Sequence, residues 1–145
     1  MTVSMRAHEK FLVFLYSTSI FLSMLLFYWS GIYCQIFNCV LSWQLRNRQY
    51  AQIFPTCSAC LTTIASVFWL LTNSVFLDWQ HRHSYGFLEM PTAVGCSLLG
   101  GVSAVIEFHS SVDYTYLNWG EKWNLAAIDS TILAFLHAVI AFALN

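Results

Sequence analysis

Asn124–Leu144 reads NLAAIDSTILAFLHAVIAFAL, twenty-one residues in which only Asp129 and His137 are ionisable. At the helical rise of about 1.5 Å per residue, such a stretch spans the roughly 30 Å hydrocarbon layer of a bilayer. Ala126, Ser130, Ala134 and Ala138 recur within it every four positions, the interval that places side chains on one helix face. Length, apolarity and periodicity together predict a transmembrane helix.

Working back along the chain, the same kind of text recurs three times. No Asp, Glu, Lys or Arg occurs from Phe11 through Leu45, from Gln49 through Leu77 or from Met90 through Ile106. Charged residues make up 9% of the 145 residues, against about a quarter in an ordinary soluble domain, while 58% are hydrophobic. That leaves too little polar surface to cover a water-soluble core, and a lipid-facing exterior is the simplest account. The expected fold is all-α, a single four-transmembrane-helix bundle over residues 1–145, with spans at about 11–29, 55–77, 86–108 and 124–144.

Punctuation supports these limits. Tyr28 and Trp29 close the first span where amphipathic rings favour the headgroup layer, and Trp119 and Trp123 are expected to anchor the fourth in the same way. Pro55 and Pro91 are expected in the first turns of the second and third spans, where a missing N–H costs nothing. The joint from Asp78 to Ser84 is short enough to return the third helix antiparallel beside the second. Residues 30–54, dotted with Gln35, Asn38, Gln44, Arg46, Asn47, Arg48 and Gln49, read as an interfacial helix, a packed loop or an extension of the first helix. Arg6 and Lys10 ahead of an apolar run suggest a signal peptide, but the run outlasts a hydrophobic signal region of about 7–15 residues. Tyr28, Trp29 and Tyr33 also stand where small residues would be cleaved, so an uncleaved first span is expected.

Orientation is finely balanced. Arg6, Lys10 and Arg82 fall on one side and Arg46, Arg48 and Lys122 on the other. Because the first span usually dominates and its basic residues precede it, cytoplasmic termini are expected, in the plasma membrane or an endomembrane. A net charge of −1 offers no basic face for phosphates, which excludes nucleic acid as a partner.

Membrane helices associate by close backbone approach through small residues. Ala93, Ser97 and Gly101 form one such row in the third span, and Cys96, Gly100 and Ala104 run beside it. Facing the row Ala126, Ser130, Ala134 and Ala138, they predict a tight hairpin of spans three and four. Spans one and two, crowded with Phe, Leu, Ile, Trp and Met, read as outer, lipid-facing helices.

The candidate chemistry is sparse. Asp129 and His137 lie about two turns apart in the fourth span, and Glu107 near the end of the third falls at the same membrane side as Asp129. Intramembrane ionisable groups need partners, so the two acids are candidates to share a proton or cation; the alternative is that Asp129 sits within a turn or two of a hydrated interface while neutral His137 hydrogen-bonds a carbonyl or a Ser/Thr hydroxyl. His137 is the only histidine well inside a span, which argues against a bis-histidine haem. His81, Arg82 and His83 form an interfacial cation cluster or a solvated turn. Cys34 and Cys39 could be oxidised to each other on an oxidising side, while Cys57 and Cys60 have redox-pair spacing without a thioredoxin-like context, and palmitoylation is equally open. No catalytic, cofactor-binding or metal-ligating motif is present, nor an Asn-x-Ser/Thr acceptor.

The third span opens on Phe87-Leu-Glu89, carries Gly95 and Gly100-Gly101 and ends in Val105-Ile-Glu107-Phe-His109. A loop with Trp119-Gly-Glu-Lys-Trp123 follows, and the chain finishes on the small-residue helix from Ala126 to Leu144. This layout resembles the MARVEL superfamily of tetraspan proteins, especially its small arthropod-type, snakeskin-like septate-junction members. The claudin pattern, a Gly-Leu-Trp with two downstream cysteines in the first connecting segment, is missing. The resemblance implies non-enzymatic membrane organisation, vesicle traffic or cell-junction assembly through contacts with lipid and other membrane proteins or with itself. Glu107, Asp129 and His137 support an alternative, a small proton- or ion-coupled transporter or channel subunit, and Cys57 with Cys60 a membrane redox protein.

Overall fold

The computed structural model describes residues 2–35, 38–41, 50–74, 79–113 and 120–144, with side chains for 8–32, 50–74, 87–113 and 121–144. Four long helices carry the fold: α1 (Thr2–Gly31), α2 (Ile53–Ser74), α3 (Trp79–Asp113) and α4 (Gly120–Ala143). Each holds all or most of a segment long and apolar enough to cross a membrane, His8–Gly31, Tyr50–Ser74, which starts just ahead of α2, Phe87–Asp113 and Glu121–Ala143. The protein is an integral, multi-pass membrane protein built as an all-α four-helix bundle.

The helices form a ring in which each packs antiparallel against its sequence neighbours and α4 closes back on α1. The α3–α4 pair is the most extensive contact and α2–α3 the least of the four. Inward positions alternate strictly by four and three residues. They are Leu12, Tyr16, Ser19, Ser23, Leu26 and Ser30 on α1, and Glu89, Ala93, Cys96, Gly100, Ser103 and Glu107 on α3. On α2 and the turn just ahead of it they are Gln52, Pro55, Ala59, Thr62, Ser66 and Trp69, and on α4 Trp123, Ala126, Ser130, Leu133, His137 and Ile140. Spacing of 3.5 residues keeps one seam facing the partner along the whole helix, as in left-handed coiled coils.

The polarity of that seam is inverted relative to a soluble bundle. Serines, threonines, acids and a histidine point inward, whereas Phe14, Phe21, Leu98, Val105, Phe135 and Phe142 point out, the last 83% exposed. In water this exterior would aggregate. In lipid it is the solvated surface, and the small polar seam lets the backbones approach. Spans one and two are therefore not mere outer helices, because α1 and α2 supply as much of the polar interior as α3 and α4.

Three local expectations change. Residues 32–35 and 38–41 are neither helix nor simple loop: β1 (Ile32–Gln35) pairs antiparallel with β2 (Asn38–Leu41). A two-stranded ribbon has two open edges that lipid cannot satisfy, so this hairpin stands outside the hydrocarbon layer. A 3-10 turn, Tyr50–Gln52, then leads into α2, with Pro55 in its first turn. The third helix begins at Trp79, before the expected joint has ended, so Pro91 lies inside α3 instead of in its first turn. Beside that proline the Thr92 hydroxyl donates to the Leu88 carbonyl at 2.6 Å. Finally, Trp123 is fully buried and is no interfacial anchor on the lipid side. Trp119, Asp78, Arg46 and Arg48 lie outside the described residues.

Both bundle ends are tied. At the end holding the chain termini, His8 Nε2 lies 3.0 Å from the Ala143 carbonyl, one of the last-turn oxygens that α4 cannot satisfy itself. At the hairpin end, Lys122 Nζ stands 5.4 Å from the ring centre of Tyr28, a cation–π contact between α4 and α1.

Candidate functional site

Of the small-residue rows, the structure uses some members and not others. Ala93, Gly100, Ala126 and Ser130 are buried, Ser97 and Ala134 are half-buried, and Ala138 is exposed. A Cβ built on Gly100 would stand 3.1 Å from the Ala134 nitrogen and 3.2 Å from its Cα, so α3 and α4 touch there backbone to backbone. Ser97 adds a hydrogen bond to the Ala134 carbonyl at 2.9 Å. Gly101, by contrast, has nothing within 4 Å of such a Cβ and makes no close contact. A strict four-residue row precesses by about 40° per step around a helix. Ala93 and Ala126 start their rows inside, and Gly101 and Ala138 have rotated out by the end.

The intramembrane polar residues are all buried: Glu107 at 0% exposure, His137 at 1% and Asp129 at 4%. His137 Nε2 lies 2.8 Å from Ser19 Oγ, which lies 2.8 Å from Ser66 Oγ, joining α4, α1 and α2 in mid-bundle. One helical turn toward the hairpin end, Ser23 and Thr63 hydroxyls meet at 2.7 Å. The expected pairing of Glu107 with Asp129 does not occur. Gln52 and Ser30 are the polar neighbours of Glu107, yet neither of its carboxyl oxygens closes a hydrogen bond, and Asp129 Oδ2 has no partner within the protein either.

Sequence reasoning missed Glu89 as a polar-core residue. Its Oε1 accepts the Tyr16 hydroxyl at 2.9 Å and the Asn73 amide at 2.8 Å, linking α1, α2 and α3 near the termini end. A signal was available. Glu89 and Glu107 are eighteen residues apart, five whole turns, and therefore share one face of α3 about 27 Å apart. Two acids flanking an uncharged run on one face point inward together, because neither tolerates lipid.

The cysteines separate into three settings. The antiparallel register sets Cys34 opposite Cys39 across the hairpin, bringing together the pair singled out from the sequence. Cys57 and Cys60 are free and exposed on α2, and Cys96 is free and buried. Among the described residues, no group of three or more His, Cys, Asp or Glu side chains converges as metal ligands. The side chains of His81, Arg82 and His83 lie outside those described.

No known protein family, curated protein or solved structure matches this chain.

Proposed function

We propose that the protein acts non-enzymatically within the plane of the membrane, organising lipids and other membrane proteins in microdomains, vesicle traffic or cell-junction assembly. The distribution of its surface carries this reading. Large apolar side chains are exposed along all four helices, for example Phe21, Ile64, Leu98 and Phe135. Among the described residues, the exposed apolar surface is surface that faces lipid, where a partner is met laterally. The layout shared with MARVEL-type tetraspans supports the same reading, with self-association as one form of it. Cytoplasmic termini follow from the basic residues ahead of the first span.

A photo-crosslinking residue placed singly at Leu98, Val105 and Phe135 tests this in the native membrane. Discrete adducts with membrane proteins or with a second copy, differing between faces, are expected. Adducts with lipid alone at all three positions would remove the protein-organising role.

A second reading, a proton- or ion-coupled transporter or channel subunit, is favoured by one observation: Glu107, Asp129 and His137 all lie within the bundle with unpartnered polar atoms. Reconstituted vesicles under an imposed pH or ion gradient decide it. A flux lost in Asp129→Asn and His137→Gln, with assembly unchanged, replaces the organising role by this one.

A further inference from the structure

The polar interior is unequal along its length. In the half nearer the chain termini, the buried polar groups that cross between helices are paired: Tyr16 and Asn73 on Glu89, and Ser19 with Ser66 and His137. In the half nearer the hairpin, buried polar atoms without a protein partner accumulate. They are Gln52 Oε1 and Nε2, Ser58 Oγ, Thr62 Oγ1, Ser103 Oγ, both Glu107 carboxyl oxygens, Asp129 Oδ2, Ser130 Oγ and His137 Nδ1; Gln52 and Ser30 stand near Glu107, and the Cys96 thiol near Thr62, without closing a hydrogen bond. Among the described residues, every one comes from the hairpin-side stretch of its helix or from His137 at mid-depth.

The interhelical contacts fix how these atoms stack. Gly100 against Ala134 sets α3 on α4, Ser19 on Ser66 and Ser23 on Thr63 set α1 on α2, and Ser19 on His137 sets α1 on α4. In that register Thr62, Ser103 and Ser130 fall in one layer, within about one turn of each other along the axis. All three are completely buried. Asp129 and Ser58 lie just beyond, then Glu107 and Gln52, so the file runs about 15 Å from His137 to Glu107. An apolar cluster of Leu26, Ala59, Ala126 and Leu133 flanks it and includes no residue of α3.

A buried polar atom without a partner bears its full desolvation penalty. The missing partner must both donate and accept here, because hydroxyls, an amide and an imidazole nitrogen alternate with acceptor-rich carboxyls. Water does both, and a buried water typically makes about three hydrogen bonds to such groups. We propose that ordered water occupies this file, forming a hydrated half-path that enters beside Gln52 and Glu107 and ends at the Ser19–Ser66–His137 junction. Beyond that junction Leu12, Leu15, Tyr16, Trp69, Ala93 and Ile140 pack together, and the polar groups of that half, Tyr16, Asn73 and Glu89, are hydrogen-bonded to one another. Glu107, Asp129 and His137 then exchange protons with the hairpin side of the membrane only. This holds whether the protein organises membranes or moves ions.

Water-edited solid-state NMR on the full chain in phosphatidylcholine bilayers tests the inference. Magnetisation is expected to pass from water to Thr62, Ser103, Ser130 and His137 several-fold faster than to Leu12, Leu15 and Ile140. Equally slow transfer at both groups overturns the path. In Ser103→Val, transfer to His137 should fall to the rate of Leu12, Leu15 and Ile140 while Glu107 stays wet, with backbone shifts elsewhere unchanged. A His137 that remains wet in that variant overturns the single route from the hairpin side.

Discussion

Gly100 and Ala134 meet backbone to backbone across α3 and α4, closely enough that any Cβ on Gly100 would press within 3.1 Å of the Ala134 nitrogen. Neither backbone can yield, since each belongs to a continuous helix. Gly100→Ala should therefore overpack the pair and destabilise the bundle by about 1–3 kcal/mol. Gly101→Ala, with open space around it, should change little. Thermal or dodecyl-sulfate unfolding of the two variants in parallel measures the difference. Equal stability would mean that the helices do not approach as closely as described.

Ser19 and His137 hold α1 to α4 in mid-bundle. A double-mutant cycle on Ser19→Ala and His137→Leu should return a coupling of about 0.6–1.7 kcal/mol, the range found for hydrogen bonds between membrane helices. Ser66→Ala should weaken the same coupling, because its hydroxyl bonds Ser19 as well. Strictly additive single variants would show that the contact contributes nothing.

Glu89 accepts two hydrogen bonds on one oxygen, from Tyr16 and from Asn73. Glu89→Gln keeps an acceptor there and should be tolerated. Glu89→Leu strands a buried hydroxyl and a buried amide, each costing about 1–3 kcal/mol, and should rank among the most damaging single changes. Tyr16→Phe should recover part of the loss in the Glu89→Leu background, which unfolding of the double variant reads directly.

Cys34 and Cys39 are register partners in an antiparallel pair of strands. Directly opposed residues have Cα atoms about 4.5–5.5 Å apart, inside the range a disulfide accepts. If cytoplasmic termini place the hairpin on the oxidising side, non-reducing thiol labelling of membranes should count three reactive or denaturant-released thiols, Cys57, Cys60 and Cys96. Cys34→Ser should raise the count by one, by freeing Cys39. Five thiols in the unreduced wild type would place the hairpin on the reducing side.

Much of the architecture is legible in the sequence. Asp129, His137 and Glu107 stood out because a polar letter in an uncharged run is conspicuous, and all three are buried. Glu89 was not conspicuous, because it sits at the edge of its run beside other polar letters. The hairpin is not legible in the sequence for a related reason. Ile32–Gln35 and Asn38–Leu41 are each only four residues long, too short for a periodic signal, and follow an apolar helix without a strong break.

What the sequence determined by itself is the number of spans, their approximate limits and their membrane setting. These depend on apolarity summed along the chain, and the cost of a charge in lipid is large enough to fix them without reference to neighbours. Tertiary structure alone decided that Gly100 and not Gly101 makes the close contact, that Trp123 turns inward, and that unpartnered polar atoms collect on one side of His137. Those outcomes depend on the rotation of each helix about its own axis. Neighbouring rows on a helix differ by a few tens of degrees, and only simultaneous packing against two partners selects between them.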